Sequence, residues 1–95
     1  MIAERKWFFV TSHAVVLIQV AQSPDATVRE IAEQAGLTER QTHRVLADLV
    51  DEGYISRTRV GRRNTYRVDE ARPMKHPAVE GNVVGDLLTA LSPKR

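Results

Sequence analysis

The chain has 95 residues, no cysteine, and 14 Lys and Arg against 12 Asp and Glu, a formal charge of +2. That length holds one small domain with one modest core, and the lack of thiols excludes a disulfide framework and any thiolate metal or nucleophilic site, in keeping with a cytoplasmic protein. The small net charge is unevenly spread: residues 1–37 carry three basic and four acidic side chains, residues 69–95 four of each, and residues 38–68 seven basic and four acidic.

Arg5 and Lys6 precede the apolar Trp7, Phe8 and Phe9, but Glu4 comes before them, and Thr11, Ser12, His13 and Gln19 interrupt the apolar run that follows. The start of the chain therefore does not read as a secretory leader. No segment approaches the roughly 18 apolar residues of a membrane span. In "TSHAVVLIQVAQ", Thr11 or Ser12 is the N-cap candidate, and Val15, Val16, Leu17, Ile18 and Val20 leave little polar face, the pattern of a helix buried on several sides. "SPDA" breaks the chain. In "TVREIAEQAG", Thr27 and Glu30 are spaced as a capping box, Val28, Ile31, Ala32 and Ala35 form one stripe, and Gly36 sits where a helix ends.

"LTERQTHRVLADLVDEG" repeats that logic, with Thr38 and Gln41 as the box, Val45, Leu46, Leu49 and Val50 as the stripe, and Gly53 as the stop. Two capped helices joined by a short glycine turn predict a helix-turn-helix unit. The strand-like "YISRTRV" and "TYRV" flank "GRRN", whose glycine and asparagine suit positive φ, so a β-hairpin is expected. Residues 54–68 carry Arg57, Arg59, Arg62, Arg63 and Arg67 and no acid, which concentrates positive potential on that hairpin. "RPMKHP" reads as a linker, and "VVGDLLTAL" as a short last helix with Val83, Val84, Leu87, Leu88 and Leu91 on one side. The expected fold is mainly α with a small β-hairpin: a domain over residues 1–72, then a linker and short helix over residues 73–95 that serve as a dimerisation element.

The ordered set in "TVREIAEQAGLTERQTHRVLADLVDEGYISRTRVGRRNTYRV", 42 of the 95 residues, resembles the winged helix-turn-helix of MarR- and ArsR-type transcription regulators. "REIAEQAGLTERQTHRVLADLVDEGYI" is similar to that family's "ELA...GLS...VSR.L..L...GLI" pattern, and the basic hairpin stands in the wing's place. The resemblance implies a three-helix core plus wing, and DNA binding, usually as a homodimer on a palindromic operator. Thr42 departs from it, since the family usually keeps an aliphatic residue there; its methyl group is expected to pack on Leu37. The short chain also departs from relatives with longer flanking helices, so no effector is assigned.

If Val45, Leu46, Leu49 and Val50 face the core, helical pitch places Arg40, Gln41, His43 and Arg44 outward on the first two turns. Arginine forks suit guanine O6 and N7, and glutamine suits adenine N6 and N7. Thr38 and the helix N-terminus offer donors to a phosphate, and Glu39 either favours the helix dipole or accepts from cytosine N4. By resemblance this is the recognition helix, spanning residues 38–52. Arg62 and Arg63, at the expected hairpin tip, are assigned to the backbone or an adjacent minor groove; Arg57, Arg59, Asn64 and Arg67 complete the wing's contact set, its strand arginines on phosphates.

For Arg40 and Arg44 the ordinary alternative is a solvated helix face with pairs such as Arg44 and Asp48. For the hairpin it is protection of an edge strand, which explains one or two charges better than five. His13, His43 and His76 lie in separate segments without ligand spacing, so neither metal nor cofactor is expected. The chain has no phosphate loop, nucleophile elbow or zinc motif, which argues against an enzyme. Trp7, Phe8 and Phe9, with Val84, Leu87, Leu88 and Leu91, are the expected homodimer surface. The partners expected are double-stranded DNA and a second copy of the chain, with no membrane. The competing reading is a winged-helix module that presents the same basic surface to an acidic protein; RNA binding is weaker still, without an exposed aromatic platform.

Overall fold

Three threonines set where the first three helices begin. In the computed structural model, which describes residues 9–91, helix α1 (Ser12–Gln22) is capped by Thr11, whose side chain accepts from the Ala14 N–H at 3.2 Å. Helix α2 (Val28–Ala35) starts from the reciprocal box of Thr27 and Glu30, and α3 (Glu39–Asp51) from that of Thr38 and Gln41. Each box satisfies two N–H groups that a helix start otherwise leaves unpaired. Gly36 closes α2, and the Leu37 N–H returns to the Ala32 carbonyl at 2.9 Å, which leaves only a short turn before α3.

The apolar stripes meet as the sequence predicts. Val16, Leu17 and Val20 of α1, Ile31 and Ala32 of α2, and Val45, Leu46 and Leu49 of α3 are buried against one another. After α3 the chain forms β1 (Ile55–Val60) and β2 (Arg63–Val68), an antiparallel pair with Ile55 opposite Val68 and Val60 opposite Arg63. Ile55 and Tyr66 enter the core and tie the hairpin to the helices. The turn itself is Gly61 and Arg62; Gly61 has φ +62°, and glycine at the first of two turn positions is what a type II′ hairpin requires. Asn64 has no positive φ and lies within β2 opposite Arg59, so the asparagine does not shape the turn.

Residues 73–91 fold back onto the same core. Pro73 bridges Val83, the Val84 N–H donates to the Arg72 carbonyl at 2.9 Å and the Gly85 N–H to the Glu70 carbonyl at 2.8 Å. The intervening chain holds a short 3-10 turn, Pro77–Val79, and then α4 (Val84–Leu91). Val84 is 1% exposed and Leu88 is also buried, both within the cluster built by α1 to α3. The backbone clamp explains why α4 starts at Val84: Val83 is held in an extended bridge and cannot open the helix. Among the described residues, four helices and a two-stranded hairpin make the fold a winged helix.

Gly53 joins α3 to the hairpin at φ +81°, and a Cβ there would meet the Arg72 guanidinium at 2.9 Å. At Gly61 the φ is also positive, but a Cβ would meet nothing within 4 Å. The left-handed conformation alone disfavours a side chain by about 1–2 kcal/mol. Gly61→Ala and Gly53→Ala are therefore each expected to lower stability by about that amount, since the group a Cβ at Gly53 would meet is the far end of a flexible side chain and can move aside. Urea unfolding of both variants measures the two losses, and a much larger loss at Gly53 would show that the Arg72 guanidinium cannot move.

Candidate nucleic-acid interface

Helix α3 divides along its length and around its axis. Thr42, Val45, Leu46 and Leu49 are buried, while Glu39, Arg40, Gln41, His43 and Arg44 are exposed on its first turns. The acids Asp48, Asp51 and Glu52 follow at its C-terminal end. Thr42 is fully buried, and its hydroxyl donates to the Thr38 carbonyl at 2.9 Å. The helix itself thus satisfies the polar atom, and the residue takes an aliphatic position without an unpaired hydroxyl.

The capping box fixes the start of this surface. Gln41 N–H donates to Thr38 Oγ1 at 3.0 Å, and Thr38 N–H donates to Gln41 Oε1 at 2.9 Å. The carboxamide oxygen that would accept from adenine N6 is therefore held by the backbone, and bidentate adenine pairing through Gln41 requires the box to open. The amide NH2 remains to donate.

Among the described residues the arginines on α3 are unpaired. Asp48, the acid one turn beyond Arg44, instead lies 2.8 Å from His13 Nε2 on α1, so the local pairing that would neutralise Arg44 does not form. Among the described residues Lys75 forms an ion pair with Glu52; the hydrogen bond from the Lys75 ammonium, then its charge, holds the exposed Glu52 carboxyl below its ordinary range. Among the described residues, Arg40, Arg44, Arg57, Arg62 and Arg67 have neither an ion pair nor a side-chain hydrogen bond.

The wing arginines do not form one row. Opposed residues share a face of an antiparallel pair, so Arg57 and Arg59 stand on the face of Tyr66 and Asn64, while Arg67 and Arg63 stand on the face of Ser56 and Val60. Arg62 occupies the turn. Arg63 lies at the first position of β2, and its guanidinium donates to the Asp25 carbonyl in the loop between α1 and α2; Arg59 Nε donates to the Gly61 carbonyl at 3.1 Å. Arg62 is thus the tip residue, and Arg63 braces the wing against the body. Nothing in the sequence marks the contact with Arg63, because Asp25 contributes its backbone carbonyl.

The remaining candidates lie apart. His43 is exposed on α3, and His76 Nδ1 accepts from the Ala78 N–H at 3.0 Å, capping the 3-10 turn. Among the described residues no group of His, Asp and Glu is arranged to hold a metal, and no helix is long and apolar enough to cross a membrane. Of the apolar surface candidates, Phe9 is 93% and Leu91 44% exposed, Leu87 is half-buried beside a cleft, Val84 and Leu88 are inside the protomer's own core, and Trp7 and Phe8 lie outside the described residues.

A family model described as "MarR family" matches residues 11–63, more than half of the chain and the whole path from the α1 cap to the first residue of β2. The chain belongs to the MarR family. It is a MarR-family winged helix-turn-helix regulator in which α2 and α3 form the helix-turn-helix and β1 and β2 the wing. A similar solved structure is that of a predicted DNA-binding transcriptional regulator from E. coli, 26% identical, with a TM-score of 0.59 over 82% of this chain and 70% of that one. No curated protein matches.

Proposed function

We propose that this MarR-family regulator binds double-stranded DNA sequence-specifically as a homodimer, with α3 in the major groove and the wing on the flanking backbone or minor groove. The observation that carries the reading is the set of five arginines, on α3 and the wing, without a side-chain partner among the described residues, while two of the three acids at the end of α3 are paired elsewhere. Unpaired guanidinium groups on a capped helix keep their donors for base edges and phosphates.

In this reading Arg40 and Arg44 contact guanine, and His43 donates to a base or phosphate. Thr38, Gln41 and the N-terminus of α3 face a phosphate, with Glu39 beside them at the positive end of the helix. Arg62 leads the wing contact, Arg57, Arg59, Asn64 and Arg67 lie along the strands, and Arg63 chiefly positions the wing. Dimerisation uses the exposed Phe9 and Leu91, joined by Trp7 and Phe8. Two α3 helices then enter successive major grooves about 34–36 Å apart.

Phosphate contacts raise affinity for every sequence and make it salt-dependent. Arg62→Ala is therefore expected to weaken binding to all duplexes alike and to reduce the slope of log affinity against log salt by about 1. Arg63→Ala should change the slope less, because its guanidinium already serves Asp25. Fluorescence anisotropy across a potassium chloride series measures both, and an unchanged slope for Arg62→Ala would remove the wing from the interface.

A further inference from the structure

The Gln41 side chain is exposed on the first turn of α3, yet only half of its carboxamide is free. A backbone N–H can be met only by an acceptor, so the 2.9 Å bond from the Thr38 N–H fixes Gln41 with its oxygen turned to the helix start and its NH2 turned outward. That NH2 makes no hydrogen bond among the described residues. Releasing the oxygen would cost the Thr38 N–H its partner at a helix start. Arg40 and Arg44, exposed on the same first turns, likewise offer only donors.

On the reading that α3 enters the major groove, we propose that Gln41 is a specificity residue that reads acceptors only, favouring guanine or thymine over adenine or cytosine at the base pair it faces. An NH2 group has two hydrogens, so a phosphate contact takes one and leaves the other for a base. Guanine presents N7 and O6 to it, and thymine O4, whereas the amino groups of adenine and cytosine set donor against donor. The paired glutamine–adenine contact, in which one carboxamide both accepts from N6 and donates to N7, is closed while the box holds. Helix α2 supplies the internal comparison: its box is closed by Glu30, whose carboxylate accepts from the Thr27 N–H at 2.8 Å. Gln41→Glu therefore keeps the box and the start of α3, and turns the outward atom from a donor into an acceptor.

The test is selection from a randomised duplex pool by the full chain and by its Gln41→Glu and Gln41→Ala variants, with melting curves to verify that each is folded. Sequencing is expected to show one position in each half-site where the parent prefers guanine or thymine to adenine by at least about fivefold. At that position Gln41→Ala loses the preference, and Gln41→Glu transfers it to cytosine or adenine, with lower overall affinity because a carboxylate now faces the phosphates. Adenine enriched there by the parent would mean that the box opens on DNA, and a base preference that neither variant changes would mean that Gln41 meets no base. Either result overturns the assignment and leaves DNA binding standing. Retention of no duplex by the parent would overturn it together with the reading on which it rests.

Discussion

Replacing Arg40 and Arg44 together by alanine is expected to lower affinity for the preferred duplex by at least about thirtyfold and to flatten the base preference beneath both side chains. A bidentate arginine–guanine pair discriminates by about 1–3 kcal/mol, so even the low end of two such contacts amounts to about 2 kcal/mol. The same double variant should fold as well as the parent, because both side chains are exposed and neither makes an ion pair or hydrogen bond among the described residues. Surface changes of that kind shift stability by no more than about 0.5 kcal/mol. Binding titrations beside thermal melts separate the two effects. Unaltered affinity and base preference in a folded double variant would take α3 out of the major groove.

A comparably large effect, on stability instead, is expected from Tyr66→Ala. Tyr66 is 5% exposed, on β2, and with Ile55 it carries the hairpin into the core formed by the helices. Truncating a buried aromatic side chain costs about 3–5 kcal/mol, a large share of the roughly 5–15 kcal/mol that holds a domain together. The melting temperature should fall by more than about 10 °C, with the wing losing its anchor first. Tyr66→Phe should cost far less, since the Tyr66 hydroxyl has no hydrogen-bond partner among the described residues. Thermal unfolding of the two variants tests this, and a small loss for Tyr66→Ala would mean that the hairpin does not depend on the core.

The helices were legible because their signals are local. Thr27 with Glu30, and Thr38 with Gln41, are each three residues apart and close as boxes, and the apolar stripes of α2 and α3 follow a 3.6-residue pitch that any helix imposes. What could not be read was set by contacts between distant segments. The sequence places Arg63 at the hairpin tip, but the register puts it opposite Val60 and the Asp25 carbonyl, 38 residues earlier in the chain, engages it. Helical spacing offers Asp48 as a partner for Arg44 in the ordinary alternative, yet His13 from α1 holds it. Val84 and Leu88 carry the pattern of an amphipathic surface helix, and pattern alone does not say whether the covering surface is this protomer or another. The clamp from Arg72 and Glu70 to the start of α4 decides it by turning the last helix onto the protomer's own core.

The most direct test of the DNA-binding account is selection of duplexes from a randomised pool by the purified full chain at two salt concentrations, with sequencing of what is retained. The expected outcome is an enriched inverted repeat with half-site centres about one helical turn apart, weaker retention at the higher salt, and guanines at positions that Arg40→Ala and Arg44→Ala relax. Failure to retain any duplex at low salt would contradict it and direct attention to an acidic protein partner for the same surface.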